Sequence, residues 1–411
     1  MRRLPILPDR RGFLRLFLPC APFPPPPAPS RPTPLVVVFL RGALDGLNTV
    51  VPYREDDYYR LRPTLALAGP DPKAPAGAGC LDLDGTFALH PELEPILPLY
   101  REGRMAVVHA VGSDDRTRSH FEAQDQVEHG GTSGQVVSGG WIGRHLRLRG
   151  GGSSAAMQAL AFGETIPGSL RGAPAAGAIR SLDEVRIVTR SGDEAGVVAA
   201  LHALHAVGDD LVSRAGKETL ALLRRVQEIR ADGAKDAAEY PADDFGRALS
   251  QVGRLLRARV GLEAACLDLG GFDTHFGQGT LGDGLAGGLA GPLRSLGGGL
   301  AAFARDLGPL FDEVTVVVLT EFGRRAYENT ALGTDHGSAS VMFLLGGGLR
   351  GGKVHGPWPG LSADALHEES DLRVTTDYRQ VLAEVLQRRC SHPDASSVFP
   401  GLEARPIGVC A

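Results

Sequence analysis

Five short stretches of this 411-residue chain hold carboxylates and imidazoles of the kind that bind metal ions. They are Leu44-Asp45-Gly46, Ser119-His120-Phe121, Phe272-Asp273-Thr274-His275, Glu321-Phe322-Gly323-Arg324 and Asp335-His336-Gly337. Each lies close to an apolar run, at the place where buried strands stop and functional side chains begin. Asp45, Asp273, His275, Glu321, Asp335 and His336 offer only oxygen and nitrogen donors, which suits one or two divalent metals. Zinc, manganese, magnesium or calcium match that set better than an iron–sulfur cluster, which takes thiolates.

Each stretch also has a plainer role open to it. Asp45 fits an ordinary turn, Asp335-His336-Gly337 fits a loop, and His275 fits an outer partner of Asp273. Ser119-His120-Phe121-Glu122 has the spacing of a capping box, Ser119 being the N-cap and Glu122 reaching back. Capping is the expected role of that serine by itself, with a nucleophile as the alternative. The recurrence of such groups at several strand ends favours a site.

The elements that must position these residues follow from the apolar runs. Residues 35–40, 105–111, 262–269, 314–320 and 341–345 are continuously apolar rather than alternating, so they predict strands covered on both faces. Helical patterns fall between them at residues 91–102, 285–307 and 378–388. That alternation predicts an α/β fold with a doubly wound, mainly parallel sheet. Residues 194–259 read as a helical insertion, with Leu222, Leu223, Val226 and Ile229 at helical spacing. His202 and His205 lie in it without an acidic partner and are expected to be solvated or capping residues.

Residues 1–34 read as a targeting segment and proline-rich linker. Arg10-Arg11-Gly12-Phe13-Leu14 resembles a twin-arginine export signal, which predicts an exported, periplasmic or extracellular protein handled by the twin-arginine machinery. That route carries folded and often metal-loaded proteins. A plain disordered linker is the alternative.

Composition narrows the field further. With 43 Lys and Arg against 48 Asp and Glu, the net charge of −5 excludes a typical nucleic-acid binder. No apolar stretch approaches the roughly 20 residues of a membrane span. Cys20, Cys80, Cys266, Cys390 and Cys410 form neither a CxxC motif nor a Cys/His cluster, so neither a zinc module nor a disulfide framework is expected. Cys266 reads as a buried small apolar residue, and Cys390 with Cys410 is the pair open to bonding in an oxidising compartment. Gly347–Lys353 has P-loop spacing, but Val354 follows where Ser or Thr is required. No GxGxxG opens a helix directly after a strand, as a dinucleotide-binding fingerprint does, and no GxSxG nucleophile elbow is present.

Several motifs together carry a resemblance. LRGALDGLNTVVPY within residues 35–53, RSHF at 118–121 and GGWIGR at 139–144 are followed by GGFDTH, TEFGRR, GTDHG and TTDYR. This ordered set resembles domain-of-unknown-function family 1501, from about residue 35 to the C-terminal helix. The resemblance implies an alkaline-phosphatase-like and sulfatase-like fold over residues 35–411, with metals at the C-terminal edge of the sheet beside a Ser or Thr nucleophile. By position it implies Asp45 as the first acidic ligand, Ser119 as nucleophile, Asp273 and His275 as an acid–histidine pair, Glu321 as a carboxylate ligand and His336 as the later histidine. Phe322 stands where that superfamily has a histidine. The expected catalytic set is Ser119, His120 and Arg324, with Arg324 or Arg41 holding an ester oxygen bidentately. The expected activity is hydrolysis of phosphate or sulfate esters of small molecules or glycans. The alternative is a non-catalytic envelope protein that keeps the scaffold for binding.

Overall fold

The computed structural model describes residues 33–71, 73, 79–149, 157–190, 192–231, 236–279 and 288–411. The Arg10-Arg11 motif, the proline-rich tract before Thr33, Cys20 and residues 285–287 lie outside the described residues.

Strand β1 (Leu35–Leu40) is followed by a small sheet of β2 (Val50–Val51), β3 (Leu81–Asp82) and β4 (Ala88–Leu89), ordered β2-β4-β3. The main sheet adds β5 (Met105–Gly112), β6 (Ala159–Phe162), β7 (Ala176–Ile179), β8 (Ala264–Leu269), β9 (Thr315–Thr320), β10 (Ser340–Gly346), β11 (Val354–His355) and β12 (Thr376–Asp377). Its order is β11-β5-β10-β9-β1-β8-β6-β7, with β12 also on β5. The helices are α1 (Gly46–Thr49), α2 (Asp56–Leu61), α3 (Leu97–Arg101), α4 (His120–His129), α5 (Trp141–Arg149), α6 (Glu194–Ala206), α7 (Leu211–Ala231), α8 (Asp244–Arg257), α9 (Ala290–Leu307) and α10 (Tyr378–Arg388).

Central strand β1 explains why its sequence is apolar throughout. Leu35, Val37 and Phe39 face a core shared with α5 and α10, through Trp141, Leu146, Val381 and Val385. Val36, Val38 and Leu40 face the opposite core, shared with α8 and α9 through Leu249, Val252, Leu296 and Leu300. Helices therefore cover both faces, and a strand so placed loses the alternation of a half-exposed one. The architecture is α/β, a mixed and mostly parallel sheet with flanking helices.

One strand departs from the parallel pattern. β10 runs antiparallel to both β5 and β9, whereas β1 is parallel to β8 and β9. The reversal has a consequence for the site. The start of β10, not its end, lies at the edge where β1, β5, β8 and β9 finish, so Asp335 and His336 arrive there just before the strand.

Other differences from the sequence expectation have local causes. Residues 91–102 form a 3-10 turn (Pro91–Ile96) followed by the short α3, because Pro95 and Pro98 withhold backbone donors from a continuous α-helix. β6 and β7 read ALAF and AGAI, too short and too rich in alanine and glycine to stand out as strands. Within residues 194–259, α6 and α7 pack on each other, while α8 packs against α9 and β8. Val226 of α7 is buried, and Leu222 and Ile229 pack against the same core. His202 contacts Arg224 through Nε2 at 3.2 Å, and α6 buries no residue. Cys266, Cys390 and Cys410 are buried free thiols.

Candidate metal centre

Four loops meet at the C-terminal edge of the sheet, and Arg324 ties three of them together. Its side chain is fully buried. Nε donates to Ala43 O (2.8 Å) after β1, Nη2 to Phe272 O (3.0 Å) after β8, and Nη1 to Thr334 O (2.8 Å) before β10. Nη2 also reaches Gly42 O (2.6 Å) and Asp273 Oδ1. The turn after β1 passes so close that a Cβ on Gly42, at φ +113°, would sit 2.5 Å from Asp273 N. Only glycine fits there.

The fourth loop leads into α4. Arg118 adopts φ 53°, and its carbonyl accepts from His336 Nδ1 at 2.8 Å. His120, the first residue of α4, follows the N-cap Ser119. Gly130 closes the helix in the left-handed conformation.

The acceptors beside three imidazoles fix their tautomers. His120 Nδ1 donates to Glu321 Oε1 at 2.7 Å, His275 Nδ1 to Asp335 Oδ1 at 3.0 Å, and His336 Nδ1 to the Arg118 carbonyl. Burial pushes the Glu321 carboxyl up, but hydrogen bonds led by Gln124, with Gly42 N and Thr320, outweigh it and hold the group ionised. Asp335 is likewise lowered, burial being overcome by His275 and Asn329. Burial lowers the pKa of His336 and favours its neutral ring. A ring that donates from Nδ1 presents a lone pair at Nε2.

Those Nε2 lone pairs converge on Asp273. His275 Nε2 and His336 Nε2 are 2.9 Å apart, and Asp273 Oδ1 lies 3.2 Å and 3.1 Å from them. His120 Nε2 is 3.6 Å from Asp273 Oδ2, is buried, and has no hydrogen-bond partner among the described residues. Ligand atoms of His120, Asp273 and His336 all lie within 4.8 Å of one another. Facing lone pairs repel unless a cation stands between them. An ion bonded at about 2 Å in tetrahedral geometry sets its ligands roughly 3.3 Å apart. The donor types, their spacing and the orphaned Nε2 of His120 all fit a divalent metal. Burial raises the Asp273 pKa, but the Arg324 guanidinium outweighs it and holds the carboxyl below the usual carboxylate range.

The remaining expected residues fall into different places. Glu321 and Asp335 hold ligand-type histidines from behind, the outer position that orients an imidazole on a metal. Asp45 is fully buried and paired with Arg62 at 2.6 Å, so its oxygens are taken up within the fold. Arg324 is enclosed by carbonyls, and Arg41 pairs with Glu128 and Asp268. Ser119 occupies the N-cap position, but its side chain makes no capping bond, and its N–H goes to Thr117 Oγ1 at 3.1 Å. The expected capping box does not form. Phe322, in place of the expected histidine, stacks on His120 with ring centroids 5.0 Å apart.

Sequence reasoning passed over Gln124, which donates to Glu321 at 2.9 Å, and Asn329, which donates to Asp335 at 3.1 Å. Gln124 sits four residues after His120, one turn along α4, and that spacing was the available signal. Asn329 lies in an irregular loop without any spacing cue.

Comparison with known proteins places the chain. Residues 105–400 match the family described as "Protein of unknown function (DUF1501)", and the chain belongs to that family. No curated protein matches it. Among solved structures, it is similar to the alkaline phosphatase from the Antarctic bacterium TAB5, with 9% identity, a TM-score of 0.32, and coverage of 77% of this chain and 92% of that one. The lipoteichoic acid synthase LtaP from Listeria monocytogenes is 9% identical at a TM-score of 0.31, covering 77% and 65%. The 2-O GAG sulfatase BT1596 is 12% identical at 0.30, covering 79% and 66%.

Proposed function

We propose that the chain is an exported, metal-dependent hydrolase of phosphate or sulfate esters. The observation that carries this reading is the convergence of the Nε2 atoms of His120, His275 and His336 on Asp273, with Ser119 preceding His120 in sequence at the start of the same helix. His120, Asp273, His275 and His336 are the residues that would hold the ion. When bound, a divalent ion supplies Lewis acidity toward an ester oxygen and lowers the pKa of a hydroxyl or water.

The chain's own groups do the rest. Ser119 Oγ has no hydrogen-bond partner among the described residues, and it sits at the positive end of the ten-residue α4, which favours a developing alkoxide. Glu321 and Asp335 fix the two outer rings, so the site would need little reorganisation to receive a cation. Arg324 positions Asp273 and holds the loops together. Export through the twin-arginine machinery rests on Arg10-Arg11 before Phe13-Leu14.

One observation favours the second reading, a non-catalytic envelope protein on the same scaffold. Arg41 and Arg324, the cations expected to grip an ester oxygen, are already engaged by carboxylates and carbonyls. Elemental analysis of protein purified without chelator, joined to aryl phosphate and aryl sulfate assays, tests both. Bound metal with turnover supports the hydrolase. Bound metal without turnover across ester classes favours the binding protein, and metal-free protein overturns both. Exchange of Arg10 and Arg11 for lysine in a tagged chain should retain it in the cytoplasm, and unaltered export would overturn the targeting assignment.

A further inference from the structure

We propose that Phe121 and Phe276 form an aromatic platform at the mouth of the metal centre, selecting esters whose organic part presents a flat ring face. The inference rests on the ester-hydrolase reading and names its substrate class. Of the twelve phenylalanines among the described residues, ten are buried or half-buried. The two exceptions are Phe121, 87% exposed, and Phe276, 77% exposed. A single exposed apolar side chain needs no explanation. These two each directly follow a candidate metal ligand, His120 and His275, whose rings lie 4.4 Å and 4.6 Å from the His336 ring between them.

The surroundings support a division of labour. Gly277 N donates to Ala331 O (3.1 Å) and Gln278 N to Leu332 O (2.8 Å), which brings the half-exposed Leu332 alongside the Phe276 loop. Arg41, Arg118 and Arg324 are paired with carboxylates, so these three cations are not offered to the organic part of a ligand. The charged head of an ester would go to the ion that the histidines and Asp273 would hold, and exposed rings remain for the rest. An aromatic face stacks on an aryl group or on the apolar face of a sugar ring. Hydrolysis then adds water across the ester bond, releasing the phenol or sugar alcohol and inorganic phosphate or sulfate.

The test is calorimetric binding to the full chain loaded with zinc or manganese, using methylphosphonate, phenylphosphonate and glucose 1-phosphate. Methylphosphonate reports the anion site alone. Phenylphosphonate, glucose 1-phosphate or both should bind about two- to tenfold tighter for each ring that stacks, and the probe that gains identifies an aryl or a sugar source. Phe121→Ala and Phe276→Ala should each reduce that preference, and the double variant should abolish it, with methylphosphonate affinity, metal content and melting temperature unchanged. Equal binding of all three probes, or a preference that survives in the double variant, overturns the platform while leaving the ester reading standing. Failure of every probe to bind the metal-loaded chain overturns both.

Discussion

Asp45 and Asp273 follow neighbouring parallel strands, β1 and β8, and the sequence offers them as equivalent ligands. Their surroundings are opposite. Asp45 is fully buried and accepts from Leu47 N (3.1 Å), Asn48 N (3.4 Å), Arg62 Nη1 (2.6 Å), Arg62 Nη2 (3.0 Å) and Gln278 Nε2. Asp273 keeps 49% of its side chain exposed and is flanked by imidazole lone pairs as well as by Arg324. A carboxylate whose oxygens are all met by protein donors holds the fold. One surrounded by further acceptors calls for a cation from outside.

The largest expected effect breaks the Asp45 side of that contrast. Arg62 is fully buried and also donates to Ala326 O and Arg325 O, both at 2.8 Å. Arg62→Ala leaves Asp45 as an uncompensated buried charge and should destabilise the chain by about 3–5 kcal/mol in urea denaturation. Metal per folded chain should stay the same. A loss below about 1 kcal/mol would show that the pair is not what holds these loops.

Histidines sharpen the same contrast. His109 on β5 is fully enclosed, donating from Nε2 to Val50 O (2.9 Å) and accepting at Nδ1 from Ala110 N (2.8 Å). Burial lowers its pKa from 6.5 to about 4. Between those values the unfolded chain binds the extra proton and the folded chain does not, so stability falls as pH drops from 6.5 to about 4. One such histidine contributes about 1.4 kcal/mol per pH unit in that window. His109→Gln keeps a donor and an acceptor and should flatten the acid limb of a stability–pH curve by that amount. An unaltered slope would assign the acid loss to other groups, of which His145, lowered by burial to about 3, is the first to try.

What could be read from the sequence, and what could not, follows from the range of the interactions. Strands β1, β5, β8, β9 and β10 were legible because burial on both faces makes them uninterrupted apolar runs. Their direction was not, since apolarity carries no sign, and the reversal of β10 emerges only from pairing. His120, Asp273, His275 and His336 were legible as residue types at strand ends. The division into candidate ligands and outer partners was not, with His120 expected as a catalytic residue and Glu321 as a ligand, because the two are 201 positions apart and meet only in the folded chain. Asp45 could not be told from Asp273 for the same reason, as Arg62 and Gln278 reach it from elements with no shared motif.

Glu321→Gln tests the outer position directly. The glutamine retains the shape but loses the charge that polarises His120, so metal affinity should fall about 10- to 100-fold, or roughly 1.4–2.7 kcal/mol. Stoichiometry at saturating metal should be unchanged. Complete loss of binding, matching His275→Ala, would make Glu321 a ligand itself, and unchanged affinity would separate the Glu321–His120 pair from the metal.

Ser119 is expected to show the smallest effect on stability and therefore the cleanest one on chemistry. A serine that caps a helix loses about 0.5–2 kcal/mol on replacement by alanine. Ser119 Oγ makes no capping bond, so Ser119→Ala should change stability by no more than about 0.5 kcal/mol, the range of a surface substitution. Ser119→Asn offers α4 a side-chain acceptor and should be neutral or slightly stabilising. With folding thus held constant, the rate of aryl ester hydrolysis speaks only to the hydroxyl. If Ser119 is the nucleophile, Ala and Asn variants should lose turnover while Ser119→Thr, which keeps a hydroxyl at the same helix start, retains part of it. Undiminished turnover in the alanine variant would remove Ser119 from the reaction and leave a water in its place, beside an intact cluster of His120, Asp273, His275 and His336.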